Sequence, residues 1–514
     1  MRAVGAVLLL IVLATTVATG ARRWRVPAPS LLVLAGLGVA LVPGAPALHI
    51  APETIGLVVL PPLLYASAEE LSLRDLRSVW RPVTVLVFGL VLASAATVGA
   101  LAAALTPLPA SMAFVLGAVL ASTDPVAVTA LGRRLSLPGR VQVLVQAESL
   151  FNDATSLVLF RVAVTVAVAS GAVSWQAAGA QFAVLAGGGS AIGAAVAAGV
   201  TLIRRLTTDP VLETVIALVT PYGAYVLAES AHTSGVTAVV VAGVLLGYSG
   251  HRLTDARIRL QLHAVYAVVI FLLESVVFSI VGLELPAMVR ELPAGSAAWP
   301  LQALAVAAVL IALRVFWMLP LSTAVRSHRG RPSWRVAAVV SWAGTRGVMP
   351  LAAALSIPLA AEDGRPLPGR ALVLVLTTAV VVFTLVVQGL SLAPLVNRSG
   401  LALEPEHTAR EEAEAREALT RAGLVHLDQL TDLESIPEHV VDRVRRGLEA
   451  RLEQGDEPAT GAPALASYRA LRREVIAVQT TALRHLYDDH LVSDTTRRQL
   501  QRDLDLEETG LGTP

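Results

Sequence analysis

Three short segments of the sequence place hydroxyl, amide and carboxyl groups inside long apolar runs. They are residues 122–128 (STDPVAV), 148–154 (ESLFNDA) and 344–350 (GTRGVMP). Oxygen atoms of these kinds are the ligands that small, hard cations prefer, and a charged group in an apolar run needs a partner or a function. The three segments therefore indicate a buried site for an alkali cation.

The first segment is expected to interrupt its helix. Pro125 has no backbone N–H and blocks one helical hydrogen bond, which frees carbonyl oxygens, while Thr123 and Asp124 add side-chain oxygens at the same place. The residues leave a second interpretation open, in which Asp124 only caps a proline kink.

The second segment concentrates polar side chains on one side of a helix. Ser149 precedes Asn152 by three residues and Asp153 by four, so these three share a face, and Glu148 precedes Asn152 by four. So many hydrogen-bonding groups in an apolar helix cannot all face lipid. They line either a cation site or a structural polar contact between helices.

The third segment holds an arginine between glycines. A buried guanidinium needs a carboxylate, so we expect Arg346 to pair with Glu148 or Asp124 and to fix that acid in place. Four polar residues in a later apolar run suggest a second interrupted helix that crosses the first. They are Thr377, Thr378, Thr384 and Gln388.

These segments belong to a membrane protein. Of 514 residues, 55% are hydrophobic and 15% are charged, whereas soluble domains have ~25% charged residues. Roughly 20 apolar residues cross a bilayer core, and this length predicts thirteen spans. They lie near residues 3–20, 28–44, 54–72, 82–105, 111–132, 141–169, 177–203, 210–229, 234–248, 261–286, 300–325, 336–361 and 371–396. The chain has no cysteine, which excludes disulfides, thiolate metal sites and cysteine nucleophiles.

The arginines predict an orientation. Loops that follow the odd-numbered spans, from the first to the eleventh, hold 18 arginines, and the intervening loops hold 3. Because cationic loops stay in the cytoplasm, the N-terminus is expected outside and the region after residue 400 inside. The same alternation favours a retained first helix over a signal peptide. Thirteen spans fit two inverted repeats of six plus one extra helix. The expected fold class is an all-α polytopic membrane protein with crossed, interrupted helices.

Other ionisable residues also fall within the predicted spans. Snorkelling to the membrane surface is the expected explanation for four of them: Glu70, Glu213, Glu229 and Arg314. Glu274 stands in the middle of its span, where snorkelling does not apply.

Taken together, in this order and spacing, the three segments resemble the sodium/proton exchangers of the monovalent cation:proton antiporter-1 family. Members have (A/S)TDP-V-A-V in a broken helix, E-S-L-x-N-D-A in the next helix and G-x-R-G further on, matched here by residues 122–128, 148–154 and 344–347. Weaker matches lie at residues 61–65, 236–247 and 271–286. The resemblance covers about residues 1–400.

The resemblance implies roles for the site residues. Asp153 would be the carboxylate shared by cation and proton, and Asn152 would be its paired amide. Ser149 and Thr123 would supply further oxygens to the bound monovalent cation. Asp124 would shape the crossing of the broken helices.

Further roles follow from the same resemblance. Glu148 and Arg346 would form a buried ion pair, and an Asn-Asp pair at 152 and 153 resembles the electroneutral branch, with one cation exchanged for one proton. This chain has Glu274 where a neutral amide would be expected, so Glu274 is a candidate second titrating group. An extra ligand at Glu69 or Glu70 is not expected.

The resemblance implies an antiporter rather than an enzyme. It would exchange Na⁺, or alternatively Li⁺ or K⁺, for H⁺ by alternating access at Asp153 across a bacterial plasma membrane, as a homodimer and without a cofactor. The residues leave a cation channel and a Na⁺-coupled solute symporter open. An intramembrane aspartyl protease is disfavoured because no G-x-G-D pattern surrounds Asp153.

Residues 401–514 form a second region. This region has a net charge of −9, which argues against nucleic acid as a partner, and it contains helical patterns near 408–430, 434–455 and 464–487. We expect a cytoplasmic helical tail that is regulatory or supports a dimer. A disordered acidic tail is the alternative.

Overall fold

The structure is a computed structural model. It describes residues 2–399 apart from 25, 43–51, 72, 125–138, 169–174, 208, 254–255, 294–295, 325–333 and 362–363, and further along the chain residues 417–430, 438–456, 471–472, 475–483, 485, 500, 504 and 506–507. The chain divides into two compact units, Met1–Leu403 and Glu404–Pro514. The three polar segments belong to the first unit.

The first unit is built from α-helices. They are α1 (Arg2–Trp24), α2 (Ala28–Ala40), α3 (Pro52–Glu69), α4 (Leu73–Thr84), α5 (Val91–Leu105), α6 (Ala110–Leu120), α7 (Gly139–Val168), α8 (Trp175–Arg204), α9 (Pro210–Ser230), α10 (Gly235–Leu253), α11 (Ala256–Arg290), α12 (Trp299–Ala324), α13 (Trp334–Trp342), α14 (Val348–Leu355), α15 (Arg370–Phe383) and α16 (Gly389–Ser399). The π-helical segments Val85–Leu90 and Thr384–Gln388 join α4 to α5 and α15 to α16.

This architecture confirms the all-α fold class. Each predicted span coincides with one helix or with helices that follow one another directly. Among the described residues, seven helices are long and apolar enough to cross a membrane, and five shorter apolar helices accompany them. The exact count of thirteen crossings stays a prediction.

The helices of the first unit pack into two groups. Helices α1–α3 and α8–α11 contact mainly one another and form what we call the first bundle. Helices α4–α7 and α12–α16 form the second bundle. The bundles meet where α11 packs against α14 and α15, and where α3 packs against α7 and α14. All three polar segments belong to the second bundle or to its broken helices.

Glycines allow the closest helix contact in the first bundle. A Cβ atom added at Gly36 of α2 would collide with the Ser279 carbonyl of α11, and one at Gly282 would collide with the Val33 carbonyl of α2. Inside a membrane, small residues of this kind let two helices approach closely enough for extensive van der Waals contact. The pairing of α2 with α11 therefore depends on the absence of a side chain at both positions.

Two helices of the second bundle are interrupted. Helix α6 ends at Leu120 and residues 122–124 are extended, as expected because the residue before a proline disfavours the helical conformation. Residues 125–128 of the motif lie outside the described residues. The second interruption is residues 343–347, between α13 and α14.

The expectation that the second interruption lies in the thirteenth span was wrong. It lies in the twelfth, and the thirteenth continues through its π-helical segment. The threonine hydroxyls of that span bond to carbonyls of their own helix: Thr378 Oγ1 donates to Leu374 O at 2.8 Å and Thr384 Oγ1 to Val381 O at 3.1 Å. Side chains satisfied in this way do not break a helix.

The second unit contains two described helices of some length, residues 417–430 (α17) and Glu438–Asp456 (α18). Arg445 of α18 forms an ion pair with Asp428 of α17 at 2.7 Å. Both helices lie in stretches predicted to be helical, and residues 408–416 of the first stretch lie outside the described residues.

The helix contact at Gly282 gives a first prediction. The change Gly282→Val forces α2 and α11 apart, and overpacking of this kind costs about 1–3 kcal/mol. We expect a lower melting temperature in thermal unfolding of the detergent-purified protein.

Gly223→Ala is the matched control, because a Cβ atom at Gly223 meets no atom within 4 Å. Equal melting temperatures for Gly282→Val and the control would contradict the packing argument.

Candidate functional site

The two interruptions bond to each other. Asp124 N donates to Thr345 O at 2.8 Å, and Thr345 Oγ1 donates to Asp124 O at 3.0 Å. Backbone groups that leave a helix inside a membrane must find partners within the protein. Here each broken helix supplies the partners of the other, so the crossing is formed by residues 122–124 and 343–347.

Helix α7 places its polar face against this crossing. Ser149 Oγ donates to the carbonyl of Thr123, and Asn152 Nδ2 donates to Thr123 Oγ1 at 3.2 Å. Asn152 Nδ2 also donates to Glu148 Oε1 at 2.8 Å. All four side chains are buried. The spacing argument that put Ser149, Asn152 and Glu148 together thus agrees with their contacts.

Glu148 pairs with Arg314 of α12. Arg314 Nη1 and Nη2 donate to Glu148 Oε1 and Oε2, each at 2.6 Å, and the two side chains are 3% and 0% exposed. The predicted pairing of Glu148 with Arg346 is therefore wrong, and so is the snorkelling explanation for Arg314. Arg314 lies near the middle of the span 300–325, too deep to reach the membrane surface, and that depth was the available signal.

Arg346 makes different contacts. Its Nη1 donates to Ser122 O at 2.7 Å, and its backbone N donates to Thr384 Oγ1 at 3.1 Å. The guanidinium is buried and interacts electrostatically with Asp153 and Glu148 without a direct bond to either. Arg346 thus ties the two interruptions and the π-helical segment together, and it places a positive charge beside Asp153.

The two glycines of the third segment make room for charged side chains. A Cβ atom at Gly344 would collide with the Arg314 side chain, and one at Gly347 would collide with the Asp124 carboxylate. A glycine at either position is needed because of this close approach and not because of an unusual φ angle. The G-x-R-G pattern therefore admits one cationic and one anionic side chain beside Arg346.

Two oxygens of α7 have no hydrogen-bond donor among the described residues. They are Asp153 Oδ1 and Asn152 Oδ1, and both are buried. Asp153 is 7% exposed, with Asp124 and Arg346 as electrostatic neighbours. Buried acceptors without donors are uncommon, and a cation or a proton would satisfy them. Within the described part of the chain, no cluster of three His, Cys, Asp or Glu residues could hold a multivalent metal.

Glu274 faces the site from the first bundle. It lies in α11, is partly buried, and its carboxyl group is near enough to Asp124 for the two charges to repel. In the described structure it has no ion-pair partner. Glu274 is thus the acidic residue that the first bundle brings towards the crossing.

The remaining intramembrane charges are also paired. Arg204 Nε lies 3.2 Å from Glu213 Oε2, and both side chains are buried, so snorkelling does not explain Glu213. Arg161 of α7 pairs with Glu229 of α9, each about a third exposed. Glu70 is exposed at the end of α3, as snorkelling predicts.

Crossed broken helices with a buried carboxylate between two bundles are the architecture of a secondary ion transporter. The family model described as "Sodium/hydrogen exchanger, transmembrane" matches residues 8–398, which is most of the chain. The protein belongs to this family of sodium/hydrogen exchangers.

Three similar proteins illustrate the relationship. A Mycobacterium tuberculosis protein named an uncharacterised Na⁺/H⁺ exchanger is 35% identical, with 96% of this chain and 93% of that protein aligned. The Na⁺/H⁺ antiporter ApNhaP of Aphanothece halophytica is 31% identical over 84% of this chain and 80% of its own. The solved sodium proton antiporter MjNhaP1 of Methanocaldococcus jannaschii has the same fold, with a TM-score of 0.61, 21% identity, and coverage of 79% of this chain and 98% of that one.

The Glu148–Arg314 pair gives a second prediction. Arg314→Met leaves a buried carboxylate without its partner, and breaking a buried pair in this way costs about 3–5 kcal/mol. Adding Glu148→Leu removes the stranded charge, so the double variant should regain most of the lost melting temperature.

Arg346→Met provides the comparison. Because Arg346 does not bond to Glu148, adding Glu148→Leu should not rescue it. Rescue of Arg346→Met but not of Arg314→Met would show that the pairing described above is incorrect.

Proposed function

We propose that the protein exchanges a monovalent cation for H⁺ at Asp153. The observation that carries the proposal is the buried, donor-free Oδ1 atom of Asp153 beside the crossing. The same carboxylate cannot bind a cation and a proton at once, so the two compete. Ser149, Asn152 and the Thr123 hydroxyl lie on the adjoining surface and supply further neutral oxygens to the cation, while Asp124 holds the crossing open beside it.

The charges around Asp153 explain why the site must be loaded. Asp153, Asp124 and Glu148 carry three negative charges, and Arg314 and Arg346 carry two positive charges. The empty site is therefore left with one negative charge, which either Na⁺ or H⁺ neutralises. A net charge is costly to move through a medium of low dielectric constant. Loaded sites can thus change their exposure more readily than the empty one, and exchange results.

Movement of the second bundle against the first would provide alternating access. Asp153, the crossing and both arginines belong to the second bundle, while α3 and α11 of the first bundle pack against it. Relative motion of two bundles around a fixed site is the usual form of transport on such folds. No nucleotide hydrolysis and no resident cofactor are required, because the gradient of one ion drives the other.

Na⁺ is the cation we propose first, with Li⁺ and K⁺ as alternatives. Oxygen ligands suit all three, and the choice depends on ligand geometry. The comparisons give no support to the channel and symporter alternatives, since the similar proteins are named exchangers and antiporters.

We further propose a plasma-membrane location with the N-terminus outside, from the 18-to-3 division of loop arginines. Residues 1–400 would form the transport domain and residues 401–514 a cytoplasmic tail that regulates it or supports a homodimer. The mass of the full chain and of a chain ending at residue 400, measured by light scattering in detergent, tests the dimer.

The proposal predicts the behaviour of Asp153→Asn. In everted vesicles with a respiration-generated pH gradient, Na⁺ should release protons from the wild-type vesicles and restore the fluorescence of a quenched amine dye. The variant should show no such response, because an amide neither binds the cation strongly nor releases a proton.

Asp442→Asn, an exposed change in α18, is the matched control and should behave as wild type. Equal responses from wild type and Asp153→Asn would remove Asp153 from the mechanism. No response from wild type in tight vesicles that contain the protein would rule out the exchanger.

The stoichiometry gives a further prediction. If only Asp153 titrates during the cycle, one cation moves for one proton, and a membrane potential clamped with K⁺ and valinomycin should not alter the ion gradients at which net flux stops. If Glu274 also carries a proton, the balance point should move with voltage in wild type and become independent of voltage in Glu274→Gln.

A balance point that depends on voltage in both proteins would exclude Glu274 as the source of the extra charge. Asp124 would then be the next residue to change.

A further inference from the structure

A small cavity lies on the boundary between the two bundles. It is lined by α11 of the first bundle and by α14 and α15 of the second, and its lining is apolar apart from Glu284 and Thr378. A cation leaving Asp153 must pass along some part of this boundary, because the site and the opposing wall belong to different bundles. The cavity is therefore a candidate section of that path.

The position of the cavity follows from the helices that line it. Leu351 and Leu355 follow Gly347 of the crossing by four and eight residues, or about 6 and 12 Å along the axis of α14. On α11, Glu284 follows Glu274 by ten residues, or about 15 Å. Since Glu274 lies at the depth of Asp124, both helices place the cavity on the same side of the crossing. The proposed orientation puts that side outside the cell.

One face of α11 is directed at this boundary. Glu274, Val277, Val281, Glu284 and Met288 recur at intervals of three and four residues, which is the repeat of a single helical face. The last four of these residues line the cavity. The face thus carries one carboxylate at each end, with two valines between them.

The middle of the cavity is an apolar barrier. Val277, Val281 and Leu351 are buried there, and no polar side chain of the cavity lies between Glu274 and Glu284. Hydrophobic constrictions of this kind exclude water and ions until they open. The structure therefore has its outward path closed at the valines, with Glu284 on the far side of the barrier from Asp153.

Glu284 is not used by the structure in any other way. It is partly buried, and no described residue forms an ion pair with it. An ionisable group in a membrane-spanning helix is costly and is expected to have a function. Thr378 Oγ1 donates to Leu374 O at 2.8 Å, so its lone pairs point a second oxygen into the same cavity.

We propose that Glu284, with the Thr378 hydroxyl, forms an outer binding site for the monovalent cation, separated from Asp153 by the valine barrier of α11. The carboxylate raises the local cation concentration at the outer mouth, and opening of the barrier passes the ion towards Glu274 and Asp153. This inference rests on the proposed exchange at Asp153.

The test compares the two faces of the membrane. In right-side-out vesicles, Glu284→Gln should raise the Na⁺ concentration for half-maximal exchange about 3- to 10-fold, since the electrostatic enrichment at the mouth is lost. In everted vesicles, where Na⁺ arrives at the cytoplasmic face, the value should be that of wild type. Glu291→Gln is the matched control, because Glu291 is exposed just beyond the end of α11 and does not line the cavity.

Several outcomes would overturn the outer site. They are unchanged half-saturation on both faces, an equal change on both faces, or an effect confined to the cytoplasmic face. Failure of the exchange proposal itself looks different, because wild-type protein would then show no cation-driven proton movement in either kind of vesicle.

A second measurement does not depend on transport. Since the chain has no cysteine, Met288→Cys introduces a single thiol at the outer end of the cavity. A membrane-impermeant maleimide should label it from outside and not from inside, as it should label Glu291→Cys. Labelling of Met288→Cys only from the cytoplasmic face, or from neither face while Glu291→Cys reacts, would contradict the proposed path.

Discussion

Two stretches of backbone that have left their helices, residues 122–124 and 343–347, must satisfy each other inside a medium that offers no hydrogen bonds. An unpaired backbone group in hydrocarbon costs several kcal/mol. The reciprocal bonds between Asp124 and Thr345 remove most of that cost. They also leave carbonyls directed sideways, and Ser149 and Arg346 bond to those of Thr123 and Ser122. The positions of the site residues follow from this one arrangement.

The crossing also determines where charges can be tolerated. Gly344 and Gly347 leave space for Arg314 and Asp124, so that oppositely charged groups lie on the two sides of one backbone segment. A buried ion pair is only worth its desolvation cost when its geometry is good, and the two-pronged contact of Arg314 with Glu148 meets that condition. With Glu148 neutralised, Asp153 is the carboxylate of α7 that remains available to a mobile ion.

Much of this arrangement could be predicted from the sequence. Hydropathy located the helices, the interruption before Pro125 follows from proline chemistry, and the shared face of Ser149, Asn152 and Asp153 follows from helical spacing. The partner of Glu148 could not be predicted, because spacing states which residues share a helix face and not which helix lies opposite. Arg314 and Arg346 are both arginines in apolar spans, and only the packing of α12 against α13 decides between them. The second interruption was misplaced for a related reason: glycines beside Arg346 break a helix, whereas threonines that bond to their own helix do not.

The identity of the cation in the Glu148 pair has a consequence for how the protein responds to acidity. A guanidinium keeps its proton throughout the physiological pH range, whereas an ammonium group in a buried position is readily neutralised. A lysine at position 314 would add a titration of its own next to the transport site, and its loss of charge would expose Glu148. With arginine there, the counter-charge is constant, and the dependence of exchange on pH is left to the carboxyl groups that meet the transported ions.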